Sequence, residues 1–338
     1  MSQLVDTNAS QIAAEFVRER RRAGSPTMGM VMTLVIVMTE EDAEESLRAA
    51  RLASHEHPGR VLAVIIGSGR GRGRIVADVE VGVRAWTGEI AQIRLSGEVT
   101  KHAASVVLPL LLPDSPVVVW WPGRAPADPA RDPIGQLGQR RITDAAALPR
   151  GQKKALLEQC ANYAPGTTDL AWTRVTPWRA LLAASLDQHH VKVTSAVVAA
   201  ERVSPSADLL SAWLAEALNI SVTREVSDGP GITEVTLNSK EGPISISRYD
   251  GLLGTLSTPG QPDRPVALKR RSLPELLAEE MRHLDEDDVY AAVTRYLVRN
   301  DGKTEKPAKK APAKRSAAKK APAKKAPAKR SAARKASR

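Results

Sequence analysis

The sequence predicts an α/β protein built from two mixed domains with largely buried central sheets, followed by a disordered basic tail. Three observations carry that reading. Several strands are continuous β-branched runs, the mark of strands covered on both faces. Amphipathic helical stripes alternate with them, the pattern of β-α-β units and a parallel sheet. Charge is also segregated along the chain: of the formal +11 over 338 residues, residues 302–338 supply +14 and leave residues 1–301 at −3.

In the first half, residues 11–20 form an amphipathic helix with no signal-peptide core. A buried strand at 30–37 leads to a helix over 41–54, with Leu47, Ala50 and Leu52 among its apolar positions, and then to a second buried strand at 60–66. Alternating strands at 75–81 and 90–95 predict an antiparallel extension with one wetter face. A helix near 98–111 precedes the buried strand 116–121, and a helix at 151–162 closes this half.

The second half opens with a short strand at 169–172. Thr176-Pro177 and Ser204-Pro205 both read as an N-cap followed by proline at the first helical position, where the missing N–H costs nothing. Between these two helices lies a strand at 191–198, and strands at 220–226, 232–238, 243–248 and 252–257 read as a meander. Helices at 273–284 and 286–298 finish the body. The expected division is 1–24 (a helix belonging to the first domain), 25–165, 166–301 and the tail 302–338. After Gly302 the chain contains no Leu, Ile, Val or aromatic residue, so it cannot bury enough surface to offset chain entropy.

Motifs for catalysis are scarce. The single cysteine, Cys160, excludes an intramolecular disulfide, a redox pair and a thiolate zinc cage, and it fits a reducing cytosol. The glycines at 67, 69, 71 and 73 come after a strand, but Arg72 takes the third glycine position of G-x-G-x-x-G and the next segment is strand-like, so a basic connection is expected. Neither a P-loop nor a G-x-S-x-G elbow occurs. His55, Glu56 and His57 lack the further ligands a metal requires, and they read as a helix end, as do His189 and His190 at a strand entrance. No metal, cofactor or catalytic residue is expected. The longest apolar run, 28–38, is too short to span a membrane, so a cytoplasmic protein is expected.

The most unusual stretch leaves the strand 116–121. Adjacent Trp120 and Trp121 point to opposite faces, one toward the core and the other toward a surface or cleft. A proline-stiffened loop comes next, at the carboxyl end of a buried strand, where open α/β sheets bind their ligands. Trp120, Trp121, Pro122, Arg124, Asp128, Asp132, Arg140 and Arg141 are therefore candidate partner-binding residues, because aromatics and arginine dominate interface energetics. Trp172 and Trp178 complete the set. The alternative is an ordered structural loop whose Asp-Pro pairs set turns.

Three segments carry a family likeness: 109–123, ending Trp120-Trp121-Pro122-Gly123; 132–144, with Asp132-Pro133-Ile134-Gly135 and Arg140-Arg141-Ile142-Thr143-Asp144; and 169–179, from Asp169-Leu170-Ala171-Trp172 to Trp178-Arg179. With Glu56-His57-Pro58-Gly59-Arg60-Val61 and the opening helix, they resemble the glucose-6-phosphate dehydrogenase assembly proteins of the OpcA family over roughly residues 10–300. That resemblance implies a non-catalytic partner that promotes assembly or activity of glucose-6-phosphate dehydrogenase. Some members of the family are discussed as redox-responsive through cysteines, and with Cys160 alone an intramolecular dithiol switch is ruled out.

Two other function classes are open. Fifteen cations in 302–338, among them Lys309, Lys310, Lys314, Arg315, Lys319, Lys320, Lys324, Lys325, Lys329 and Arg330, can neutralise phosphates of nucleic acid or another polyanion, without an aromatic platform for sequence readout. The loop after Trp121 could alternatively serve a small ligand or an enzymatic pocket, which requires a convergent acid–base pair.

Overall fold

The computed structural model describes residues 2–24, 29–82 and 88–300. The expectations for the tail 302–338 and its cations lie outside the described residues. In chain order, the first half contains β1 (Ser2–Val5), α1 (Ala9–Ala23), β2 (Met32–Met38), α2 (Ala43–Ala53), β3 (Gly59–Ile66), β4 (Arg74–Val81), β5 (Gly88–Ser96), α3 (Ala103–Val107), β6 (Val117–Trp120), β7 (Arg140–Thr143), α4 (Gln152–Ala161) and β8 (Thr167–Asp169). These strands form one eight-stranded sheet in the order β1-β4-β5-β3-β2-β6-β7-β8. Six neighbours from β5 to β8 run parallel, and β4 and β1 add an antiparallel edge.

Both faces of this sheet are covered. One face packs Leu34, Ile36, Val118, Trp120 and Ile142 under α2, and the other packs Val35, Leu62, Val64, Val119 and Trp121 under α1 and α3. This double coverage explains the unbroken apolar runs. The parallel pairing of β5 with β3 places the 90–95 strand inside the main sheet, so the antiparallel extension consists of β4 and β1. The segment 98–111 is not one helix. It breaks into a 3-10 turn at Gly97–His102, the five-residue α3 and a second 3-10 turn at Leu108–Leu110 containing Pro109.

The second half contains α5 (Leu170–Thr173), α6 (Thr176–His189), β9 (Val193–Ala200), α7 (Pro205–Leu218), β10 (Ser221–Val226), β11 (Ile232–Ser239), β12 (Ile244–Ser247), β13 (Leu253–Ser257), β14 (Arg264–Ala267), α8 (Leu273–Arg282) and α9 (Asp288–Asn300). A strand was expected at 169–172, but Asp169 ends β8 and caps α5, its carboxylate accepting from the Ala171 N–H at 2.8 Å. The second sheet has the order β10-β9-β11-β12-β13-β14. β10 lies parallel to β9 after the α7 crossover, so only β11 to β14 form the meander. Helices α4, α6, α7 and α9 cover one face, with Val198, Leu210, Val235 and Ile246 at the centre of the core. On the opposite face, Ser195, Val197, Thr236 and Ser245 are partly exposed, which produces the alternation in these strands.

Two elements beyond residue 165 pack on the first half. β8 completes the first sheet, and α8 returns to the first half, packing Leu276, Leu277, Ala278 and Met281 on Ala43, Ala49, Ala50 and Ala53. The alanine face of α2 lets the helices approach closely. Ser272 and Glu275 form a capping box at the start of α8. The expected helix-end cluster supports this docking: His57 Nε2 lies 3.1 Å from the Ala278 carbonyl, and Glu56 pairs with Arg282. Among the described residues, no helix is long and apolar enough to cross a membrane.

Candidate functional site at the carboxyl edge of the first sheet

Numbered along the chain, the six parallel strands take the order 3-2-1-4-5-6, with β2 first and the switch point between β2 and β6. Ligands of open α/β sheets bind outside the carboxyl ends at such a point, and this strand order is that of dinucleotide-binding folds. A dinucleotide needs glycines and free amides where β2 turns into α2. Here that turn reads Thr39-Glu40-Glu41-Asp42, and Glu44 and Glu45 occupy the first turn of α2. Five carboxylates at the helix N-terminus favour the helix dipole and repel phosphate. The residues do not fit a dinucleotide. Asp42 also blocks the approach, accepting from the Thr39 hydroxyl at 2.8 Å, and a Cβ on Gly123 would lie 2.7 Å from its Oδ2.

The loop from 121 to 135 closes this edge as an ordered structure. Asp128 accepts from the Arg131 N–H at 3.2 Å, and Asp132 accepts from Ile134 and Gly135 at 2.9 and 3.0 Å, so both aspartates set turns. From α4 and its C-cap, Gln159 and Asn162 donate to the carbonyls of Pro126 (2.7 Å) and Ala127 (3.0 Å). Gly135 sits where a Cβ would meet the Pro129 carbonyl oxygen at 1.8 Å. Arg124 is exposed on this loop, whereas Pro122 is buried.

The sequence places the candidate residues close together, and the fold separates them. Trp120, Trp121, Trp172 and Trp178 are only 0–2% exposed, so none presents a surface. Trp120 and Trp121 do point to opposite faces, but both faces are covered. Trp172 donates to Asp287 at 2.7 Å and carries the Arg179 guanidinium 3.7 Å above its ring. Trp178 packs under Arg248 at 5.1 Å.

Arg140 and Arg141 likewise diverge, as neighbours in a strand must. Arg140 is buried against α8, donating to Glu280 at 2.6 Å and to the Asp285 carbonyl at 2.9 Å, and the Thr173 hydroxyl binds the other oxygen of Glu280 at 2.7 Å. Arg141 turns to the other side and donates to Thr167 and to the carbonyls of Gly138 and Pro165. Burial, followed by the neighbouring Arg140 charge, lowers its pKa.

Two buried aspartates at the ends of β7 and β8 form the centre of the edge. Asp144 is held by a bidentate pair with Arg174, both contacts at 2.7 Å. Asp169 is fully buried and accepts from the Thr143 hydroxyl and the amides of Ala145 and Ala171, at 2.7 to 2.9 Å. Burial raises its pKa and the Asp144 charge adds to the effect, against the lowering by the hydrogen bonds from Thr143, Ala171 and Ala145. The sequence reading did not single out Asp169; an aspartate at a strand's end before a short apolar helix was the available signal.

Residues 50–162 match the glucose-6-phosphate dehydrogenase subunit N-terminal domain, and residues 165–294 match the corresponding C-terminal domain. The chain belongs to the OpcA family. It is thus a glucose-6-phosphate dehydrogenase assembly protein, matched in both of the family's domains and in their order. No curated protein matches it. Among solved structures, this OpcA chain is similar to a 3-ketoreductase from Actinomadura kijaniata, with a TM-score of 0.45, 10% identity, and 80% of this chain and 96% of that chain covered. An oxidoreductase from Sinorhizobium meliloti gives 0.46 and 10%, covering 80% and 95%, and a biliverdin reductase from Synechocystis gives 0.41 and 9%, covering 81% and 99%. At such low identity, nothing about the chemistry of this chain can be taken from them.

Proposed function

We propose that this OpcA protein is a non-catalytic, cytoplasmic partner that activates glucose-6-phosphate dehydrogenase by binding its competent oligomer. The observation that carries the non-catalytic reading is the acidic turn Glu40-Glu41-Asp42 with Glu44 and Glu45, which stands where a dinucleotide phosphate would sit. The action is linkage: a subunit that binds the active oligomer better than its alternatives shifts the population toward it. About 1.4 kcal/mol of differential binding gives a tenfold shift.

The docking surface in this reading is the carboxyl edge. The exposed acids Glu40, Glu41, Glu44 and Glu45 lie on one side and the loop with Arg124 and Arg131 on the other, while the buried tryptophans keep that loop rigid. The experiment is dehydrogenase activity and oligomer mass, with and without the protein, for the parent and for Glu41→Lys/Glu44→Lys. Activation that weakens in the variant and falls with salt supports the edge. Unchanged rate, substrate affinity and oligomer mass with the parent protein would sink the reading.

A further inference from the structure

A second feature lies away from the carboxyl edge. A cavity of about 340 Å³ opens between the start of α6, the N-terminus of α7 and the 269–271 strap that leads into α8. Pro205 occupies the first position of α7 and has no N–H to offer. The Asp208 N–H closes the first turn on the Ser204 carbonyl at 3.0 Å, so the amides of Ser206 and Ala207 have no intrahelical acceptor. Ser204, the N-cap, is 3% exposed and its side chain makes no capping bond, although it lines the cavity. Asp208, the one acid in the first turn, is held by Arg224 at 3.1 Å.

Arg248 and Arg270 line the same cavity as this helix end. Arg248 is 8% exposed, and its terminal nitrogens donate only to the carbonyls of Leu268 (3.0 Å) and Ile232 (3.4 Å). Its buried Nε has no partner, nor does that of Arg270, which also donates to the Pro230 carbonyl. Burial, and after it the Arg270 charge, pull the Arg248 pKa down to about 10, and the Asp250 charge offsets this only in part. Among the described residues neither has a carboxylate partner. The other cations in the wall are already neutralised: Arg174 by Asp144, Lys269 by Glu275 and Arg271 by Glu279. Glu201 is the single acid of the wall.

We infer that this cavity binds a small phosphorylated polyhydroxy compound, with the phosphate on Ser204, the Ser206 and Ala207 amides and the Arg248 and Arg270 guanidinium groups. Helix amides and a dipole with two cations suit a dianionic monoester. Glu201 is acceptor-only when ionised, so it receives hydroxyl donors and rejects a second phosphate. The volume lies at the low end of the roughly 300–1,000 Å³ of ligand pockets, which suits one monoester. Because binding is a property of this chain alone, it is measured without the dehydrogenase and stands or falls separately from the partner reading.

The test is titration calorimetry on the full chain with glucose 6-phosphate, inorganic phosphate and adenosine monophosphate, with intrinsic tryptophan fluorescence as a second readout. Saturable binding strongest for the sugar phosphate is expected. Ser204→Asp retains a good N-cap and puts a carboxylate in the phosphate position, so it should keep its melting temperature and lose at least tenfold in affinity. Arg270→Gln should lose several-fold. Absence of saturable binding by all three probes at about 10 mM, far weaker than such a site should bind, overturns the site. Binding that persists unchanged in both variants also overturns it. Inorganic phosphate or the nucleotide binding as tightly as the sugar phosphate overturns the polyhydroxy assignment.

Discussion

The pair of Arg140 and Glu280 ties the two halves together, and breaking it gives a calibrated perturbation. The side chains are 4% and 7% exposed, and the contact is 2.6 Å. Arg140→Met removes the partner of a buried carboxylate, leaving Glu280 with only the Thr173 hydroxyl at 2.7 Å, and also strips the Asp285 carbonyl of its donor at 2.9 Å. An uncompensated buried charge costs about 3–5 kcal/mol. A donor lost from the Asp285 carbonyl adds about 1 kcal/mol. Arg140→Met/Glu280→Met removes both charges and fills similar volume, so most of the loss should return. Urea unfolding of the parent, the two single variants and the double variant, followed by circular dichroism, closes the cycle. A loss under about 1 kcal/mol in Arg140→Met would place the pair among surface contacts and refute the docking of α8 as drawn.

The described geometry sets three further outcomes. Burial pushes the Cys160 thiol well up, with Asp169 contributing, so native protein should resist alkylation at about pH 8 and react fully once unfolded; rapid native labelling contradicts this. Asp169 has a folded pKa raised by burial above its unfolded value, so its contribution is fully present below the unfolded pKa and is lost as pH rises through the folded one. Relative to Asp169→Asn, the parent should therefore lose stability as pH rises above the ordinary aspartate range of about 4; a difference independent of pH would count against the assignment. Gly135→Ala would place a Cβ 1.8 Å from the Pro129 carbonyl, and should cost about 1–3 kcal/mol in thermal or urea unfolding by overpacking the loop.

Much of the fold was legible because periodicity is a local property. The continuous runs that became β2, β3 and β6 could only be strands covered on both faces, and Ser204-Pro205 marked the start of α7. Less legible were β1, β7 and β14, four-residue strands too short to show a period. At the candidate site, the aromatic and arginine content of 120–141 was visible, but burial was not. A tryptophan's chemistry suits an interface and a core equally, and only the covering helices chose the core.

The charge arithmetic, the lack of a phosphate loop and the family likeness of both halves were determined by the sequence alone, since each is a property of residue type and order. Tertiary structure alone decided which residues meet. Arg140 finds Glu280 across 140 positions of chain, α8 returns to α2, and Arg248, Arg270 and the α7 N-terminus line one cavity. Such pairings depend on how strands are ordered and which faces are covered. Those are global outcomes of burying apolar area, and no local pattern in the chain records them.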